Sequence, residues 1–219
     1  MEAILLAAGV GSRMKLTSPK QFVTILGKPR FTYSLEALKR SLNIEKIYLT
    51  CNASYLEDYK IIIDKYHIDN VECILGGTTR QESVFIALQY VKTGKVLIHE
   101  AARPLVSVDF IDEVIDDFKE DAVVPTIPIN FSIVEGDNVV CRELNRSRLH
   151  NVQLPQVFNT DKLLAAHKLA IRDNYMTTED GMLLFHYGGS VNLIRGRESN
   201  IKVTTNLDLA IVEKLLKLQ

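Results

Sequence analysis

Residue types that can bind an anion are concentrated in the first loop of the chain. Residues 6–14 read Leu-Ala-Ala-Gly-Val-Gly-Ser-Arg-Met, and Lys20 follows shortly after. Glycines after a first strand let backbone N–H groups approach an anion closely, and the small Ala7 and Ala8 leave room for a flat ring above the backbone. Arg13 and Lys20 add two cations. The loop therefore predicts a triphosphate cradle, with a plain turn carrying two solvated cations as an equal alternative.

Three further segments place polar residues after predicted strands or before a predicted helix. They are residues 76–83 (Gly-Gly-Thr-Thr-Arg-Gln-Glu-Ser), 99–104 (His-Glu-Ala-Ala-Arg-Pro) and 200–205 (Asn-Ile-Lys-Val-Thr-Thr). The first of these segments suits an anion or a base edge, but taken alone it is better explained as a glycine turn with Thr79 or Glu82 capping the helix. Glu100, at the carboxyl end of a strand, can hold Mg²⁺ between phosphates, because Mg²⁺ takes hard oxygen ligands and needs few from protein. Lys202 is either a surface lysine or a third cation facing the phosphates.

The glycine pattern of the first loop excludes two familiar nucleotide motifs. Met14 stands where a dinucleotide-binding fingerprint needs its third glycine, and the residues Thr50 to Asn52 after the second strand include no acid. No Gly-Lys-Ser/Thr follows, so the loop is not a P-loop either. A dinucleotide-dependent oxidoreductase is therefore disfavoured.

Composition narrows the class of protein further. The chain has 219 residues, 47% of them hydrophobic and 24% charged, with a net charge of −1. These values predict one domain over residues 1–219, with no nucleic-acid and no membrane partner. The first residues lack the basic segment of a signal peptide, and the three cysteines (Cys51, Cys73 and Cys141) are far apart, which favours reduced thiols in a cytoplasmic protein.

Short apolar runs alternate with segments of helical spacing along most of the chain. The pattern predicts strands at 2–8, 46–50, 71–75, 95–99, 121–125 and 191–195, and helices at 31–41, 54–66, 83–91, 110–118, 160–171, 179–187 and 207–218. This alternation indicates an α/β fold with an open, mostly parallel, Rossmann-like sheet and helices on both faces.

The alternation breaks at about residues 126–158. Two β-type runs, 132–135 and 139–143, flank Gly136-Asp137-Asn138, which is a hairpin signal. An isolated hairpin is marginal in water. We therefore predict that this segment is a protruding arm covered by a partner subunit, so that the chain forms a homodimer.

Taken together, the segments resemble the cytidylyltransferases of the 2-C-methyl-D-erythritol 4-phosphate type, whose superfamily includes the ribitol-5-phosphate cytidylyltransferases. The resemblance spans nearly the whole chain. The matching motifs are Ala7-Ala8-Gly9-x-Gly11-x-Arg13-Met14 with Pro19-Lys20-Gln21, Gly76-Gly77-x-x-Arg80-x-x-Ser83-Val84, Ala101-x-Arg103-Pro104, Pro155-Gln156-x-Phe158 and Asn200-Ile201-Lys202-Val203-Thr204.

The resemblance implies a reaction and a role for each matching residue. The chain would transfer CMP from CTP to a polyol phosphate, with methylerythritol phosphate first and ribitol phosphate or another polyol phosphate as alternatives, and would use Mg²⁺. The implied catalytic residues are Arg13, Lys20 and Lys202, the metal ligand is Glu100, and Ser132 and Arg146 bind the acceptor, Arg146 across the dimer. The implied nucleotide-binding residues are Ala7, Ala8, Gly9, Gly11, Gly77, Arg80, Ser83, Ala101 and Arg103.

The sequence departs from the family pattern at three places. Glu100 replaces the usual aspartate, Phe131-Ser132 replaces Asp-Thr in the arm, and Leu154 replaces the threonine before Pro-Gln. Two polar contacts to a polyol are thereby absent. The departures keep open a different class of protein, a nucleotide-binding protein with weakened catalysis.

Overall fold

The computed structural model describes residues 1–9 and 22–218. Its strands are β1 (Glu2–Leu6), β2 (Thr24–Ile25), β3 (Lys28–Pro29), β4 (Lys46–Cys51), β5 (Val71–Leu75), β6 (Lys95–Glu100), β7 (Ala122–Pro128), β8 (Val134–Gly136), β9 (Val140–Glu143), β10 (His150–Val152), β11 (Gln156–Asn159) and β12 (Val191–Arg195). Its α-helices are α1 (Arg30–Arg40), α2 (Leu56–Lys65), α3 (Arg80–Leu88), α4 (Val108–Asp116), α5 (Thr160–Asp173), α6 (Asp180–His186) and α7 (Asn206–Leu216).

Eight strands form one mixed, mostly parallel sheet. Their order is β10-β7-β11-β6-β1-β4-β5, with β12 pairing parallel to β7. The pairs β6–β1, β1–β4 and β4–β5 are parallel, whereas β10 and β11 run antiparallel to their neighbours. The fold class predicted from the alternation of strands and helices is confirmed.

The two faces of the sheet carry separate apolar cores, because side chains alternate along each strand. Ala3 and Leu5 of β1 face a core built with α1, α2 and α4. Ile4, between them, faces a core built with α3, α5 and α6. This double cover holds the strands rigidly and leaves their carboxyl ends free to carry the site. Across residues 1–9 and 22–218, no helix is long and apolar enough to cross a membrane.

The predicted arm at about 126–158 is too long at both ends. Strand β7 continues to Pro128, and β10 and β11 return to the central sheet, where β11 lies between β6 and β7. The β11 residues Gln156, Val157 and Phe158 are fully buried. A four-residue strand is too short to show a period, so the sequence pattern did not reveal it. The arm proper spans residues 129–149.

The arm contains the hairpin that the turn residues predict. Strands β8 and β9 pair antiparallel, with an irregularity at Glu135 and Gly136, and every residue of both strands is exposed. A side chain at Gly136 would meet the carbonyl oxygen of Val139 at 2.1 Å, so the tight turn requires glycine there. The two ends of the arm meet at the sheet, where Pro128 pairs with His150.

Candidate active site at the carboxyl ends of the strands

The chain after β1 is fixed against the neighbouring strand. The N–H of Ala7 donates to the carbonyl oxygen of Thr50 at 3.2 Å and to its hydroxyl at 3.1 Å. The carbonyl of Ala7 accepts from the Tyr59 hydroxyl at 2.7 Å. The backbone polar groups of Ala7 are thus used within the protein, and Ala8 and the exposed Gly9 continue towards the rim of the site.

The two glycine loops touch each other. Gly76 follows β5, and its N–H donates to the carbonyl of Cys51 at 2.9 Å. A side chain at Gly76 would come within 2.4 Å of the Ala8 methyl group, so only glycine allows the loop after β5 to lie against the loop after β1. The sequence analysis described these loops as two separate segments. In the structure they are in contact and form one side of the candidate site.

Ser83 shapes the second glycine loop from inside. Its hydroxyl accepts from the N–H of Gly77 at 3.0 Å and donates to the carbonyl of Thr79 at 2.8 Å. Thr79 caps α3 by accepting from the N–H of Glu82, so the helix begins at Arg80, three residues before the predicted start. The capping alternative for this segment is therefore correct, and the cap presents Arg80 at the first turn of the helix.

A chain of ion pairs crosses the end of β6. Glu100 is 7% exposed, and its Oε1 accepts from Arg80 Nε at 3.0 Å. Its Oε2 lies 2.6 Å from the ammonium of Lys202. The structure thereby brings together three residues that the sequence assigned to three different segments.

The ion-pair chain continues through residues that the sequence analysis missed. The Arg80 Nη1 lies 2.7 Å from Oδ2 of Asp180, the first residue of α6, and Nε2 of His167 in α5 lies 3.3 Å from Oδ1 of the same carboxylate. Asp180 is 1% exposed. Acidic residues are common in the first turn of a helix, because they interact favourably with the helix dipole. The sequence therefore offered no signal that Asp180 faces the site.

The ion pairs set the charge states of the network. Burial alone would raise the pKa of Glu100, but Arg80 and Lys202 lower it to about 2. Burial likewise opposes ionisation of Asp180, and Arg80 and His167 nevertheless hold its pKa below the usual value. Glu179, next to Asp180, has a raised pKa because of its burial and the neighbouring carboxylate. Glu100 and Asp180 are therefore both anionic at neutral pH.

Arg103 binds protein loops. It is buried, and its guanidinium donates to the carbonyls of Asn200 at 2.7 Å and Val152 at 3.3 Å. The N–H of Val203 also donates to Ala102 at 2.8 Å, and that of Ala101 to Leu6 at 3.0 Å. These bonds fix the loop of Lys202 against the end of β6.

The histidine next to Glu100 is a structural residue. His99 is fully buried, and burial lowers its pKa to about 4, so it is neutral at pH 7. Its Nε2 lies 3.2 Å from the carbonyl oxygen of Arg103. His99 is therefore a satisfied interior histidine.

The residues assigned to the acceptor lie on the arm. Ser132 and Arg146 are exposed and line one surface cavity of about 550 Å³. Arg146 donates to the carbonyl of Asn130 at 3.2 Å, while Phe131 is 82% exposed. Leu154, the other departure from the family pattern that concerned the acceptor, does not lie on the arm. Its side chain is buried in the core formed with α3, α5 and α6.

Three assigned residues, Gly11, Arg13 and Lys20, lie outside the described residues. Their proposed roles stay predictions. In the described part of the chain, no three His, Cys, Asp or Glu side chains are grouped to hold a metal ion. Glu100 is a single carboxylate, which matches the few protein ligands that Mg²⁺ takes when phosphates supply the others.

An open α/β sheet with joined glycine loops and a Lys–Glu–Arg array at its strand ends is the framework of a nucleotidyltransferase. The family model for 2-C-methyl-D-erythritol 4-phosphate cytidylyltransferase (IspD) matches residues 1–218. The chain belongs to this family, and it is a CTP-dependent cytidylyltransferase.

Relatives and solved structures match this chain along nearly its full length. The 2-C-methyl-D-erythritol 4-phosphate cytidylyltransferase of Bacillus cytotoxicus is 39% identical over 99% of this chain and 97% of its own, and that of Clostridioides difficile is 34% identical over 99% and 93%. The crystal structure of 4-diphosphocytidyl-2C-methyl-D-erythritol synthase from Anaerococcus prevotii superimposes with a TM-score of 0.87 at 26% identity, covering 99% of this chain and 97% of that one. The Thermus thermophilus cytidylyltransferase gives 0.81 at 25% identity, covering 98% of each.

Proposed function

We propose that the protein transfers CMP from CTP to 2-C-methyl-D-erythritol 4-phosphate and releases pyrophosphate, a step in isoprenoid precursor biosynthesis in the cytoplasm. The observation that carries this proposal is the Lys202–Glu100–Arg80 array beside the joined glycine loops, in a chain whose full-length relatives are named for this acceptor.

The chemistry requires positioning and charge neutralisation. An oxygen of the acceptor phosphate attacks the α-phosphorus in line, and pyrophosphate leaves without a covalent enzyme intermediate. Both reactants are anions, so cations that meet the charge developing in the transition state lower the barrier. Lys202 suits this role, because 43% of its side chain is exposed while its ammonium is held by Glu100. Arg13 and Lys20 are assigned the same role at the triphosphate.

Glu100 is the proposed Mg²⁺ ligand. Bound Mg²⁺ would neutralise phosphate charge, and Glu100 fits because it is ionised and stands at the carboxyl end of β6, beside the carboxyl end of β1. A chelator should abolish activity, and Glu100→Gln should raise the Mg²⁺ concentration needed for half-maximal turnover. An unchanged Mg²⁺ titration would separate this carboxylate from the metal. A requirement for zinc would contradict the assignment, since zinc sites use thiolates and histidines.

The arm supports a homodimer. It exposes Phe131, Val134, Val139 and Val140, and a two-stranded hairpin cannot bury such side chains alone. We propose that a second copy of the chain covers the arm and that Arg146 binds the acceptor phosphate in the partner's site. Sedimentation should show a dimer, and an active monomer would overturn this arrangement.

A panel of acceptors tests the proposed substrate. Pyrophosphate release with CTP should be fastest with methylerythritol phosphate, and the exposed Phe131 makes ribitol phosphate or another polyol phosphate the alternative. Comparable activity with an unphosphorylated polyol would refute the role of Arg146. CTP binding without pyrophosphate release for any acceptor would identify a nucleotide-binding protein with weakened catalysis.

A further inference from the structure

Arg30, the first residue of α1, is a buried cation without a counter-charge. It is 3% exposed, and its Nε has no hydrogen-bond partner. Its Nη1 donates to the carbonyl oxygen of Val203 over a long 3.4 Å. Within residues 1–9 and 22–218, Arg30 forms no ion pair with a carboxylate.

The first part of the chain contains no acid that could neutralise Arg30. Residues 3–35 include no aspartate or glutamate and five cations, which are Arg13, Lys15, Lys20, Lys28 and Arg30. Residues 10–21, outside the described part, therefore add three cations and no carboxylate side chain. The next acid along the chain, Glu36, is paired with Lys28.

The position of Arg30 is unfavourable for a cation in two ways. The start of a helix is the positive end of its dipole, and α1 has neither a side-chain cap nor an acid in its first turn. Burial lowers the pKa of Arg30 to about 10, so the side chain is still charged at pH 7. A buried charge without a partner is costly to the fold. These observations together indicate an anion that the chain itself does not supply.

Arg30 lies between two loops of the active site. Val203, whose carbonyl it contacts, directly follows Lys202. The charge of Arg30 also interacts with Tyr59, whose hydroxyl donates to the carbonyl of Ala7 at 2.7 Å. The start of α1 is therefore placed between the loop after β1 and the Lys202 loop, the two loops assigned to the triphosphate.

We propose that Arg30 supplies a fixed positive charge for the triphosphate of CTP, acting through the surrounding protein because its side chain is buried. Lys202 and Arg80 share the carboxylate of Glu100, so part of their charge is already neutralised. An unpaired charge in the protein interior interacts more strongly with an anion than a solvated charge does at the same distance. The inference rests on the use of CTP and is independent of the acceptor and of the metal role of Glu100.

The experiment measures nucleotide affinity and stability in variants of the full-length chain. Arg30→Met removes the charge but keeps a long side chain, and it should raise the calorimetric Kd for CTP about tenfold. The inhibition constant of cytidine, which has no phosphate, should change by less than about twofold. The free energy of unfolding in urea should stay the same or rise, because an apolar side chain replaces an unpaired buried charge. Arg30→Lys keeps the charge and should bind CTP within about threefold of the wild type.

Arg40→Met is the matched control, because Arg40 is exposed at the other end of the same helix and its loss changes the net charge equally. It should leave both constants unchanged. Unchanged CTP affinity in Arg30→Met would overturn the inference, and so would an equal loss of cytidine binding, which indicates a damaged site. If Arg30→Met does not fold, Arg30→Gln takes its place. Failure of both neutral variants to fold would show that the charge serves the fold, and the inference would be wrong.

Discussion

Replacing Glu100 by glutamine should cost stability in a pH-dependent way. Arg80 and Lys202 hold the pKa of this buried carboxyl at about 2, against 4.5 for an ordinary glutamate. A difference of one in pKa corresponds to ~1.4 kcal/mol, so the ionised carboxylate contributes about 3 kcal/mol at neutral pH. Because the folded-state pKa is the lower one, this contribution is complete above about pH 4.5 and is lost as the pH falls towards 2.

Urea unfolding followed by far-ultraviolet circular dichroism measures the effect. The free energy of unfolding of Glu100→Gln should lie about 3 kcal/mol below that of the wild type at pH 7 and about 2 kcal/mol below it near pH 3.5. Glu113→Gln is the matched control, because its pair with Arg197 is solvent-exposed and should be worth at most ~1 kcal/mol. A gap for Glu100→Gln that does not change with pH would refute the electrostatic reasoning.

Three further predictions concern the active site and the dimer. Arg13→Ala or Lys20→Ala should lower turnover by ~10²–10³, with little change in the free energy of unfolding. Near-normal turnover in both variants would show that these residues do not bind the triphosphate. Mixing Arg146→Ala subunits with Lys20→Ala subunits should restore activity, because each heterodimer keeps one intact composite site; no recovery after proven exchange would place Arg146 in its own subunit's site. CTP should be strongly preferred over ATP and GTP in steady-state assays, since a backbone-lined slot around residues 7–9 and Gly77 has little room for a purine. Similar kcat/KM values for ATP would refute this.

The fold was largely predictable because apolar residues recur at helical spacing in the long helices and form short runs in the long strands. The strands Val71–Leu75 and Val191–Arg195 agree with the prediction residue for residue, and most other bounds differ by one to three residues. The strand Gln156–Asn159 escaped prediction because its place between β6 and β7 depends on pairing with distant residues. Local pattern carries no information about such partners.

The site was predictable as parts but not as a network. Glu100 ends a strand, Arg80 begins a helix and Lys202 lies in the loop before the last helix, and at such places the sequence alone indicates chemistry. Asp180 lacked such a signal, since only the packing of α6 beside α3 brings its carboxylate to Arg80. Two other residues differ from their predicted roles because they are buried. The Leu154 side chain packs in the core, and the Arg103 guanidinium hydrogen-bonds to the backbone of two loops.

The way the arm joins the sheet has an evolutionary consequence. Its two ends are paired neighbours, Pro128 and His150, so the span between them is fixed whatever the arm contains. Closing a longer or shorter loop between fixed ends changes the chain entropy only slowly with length. Residues 129–149 can therefore be lengthened, shortened or replaced in evolution while β1, β5 and β6, which carry the glycine loops and Glu100, keep their positions.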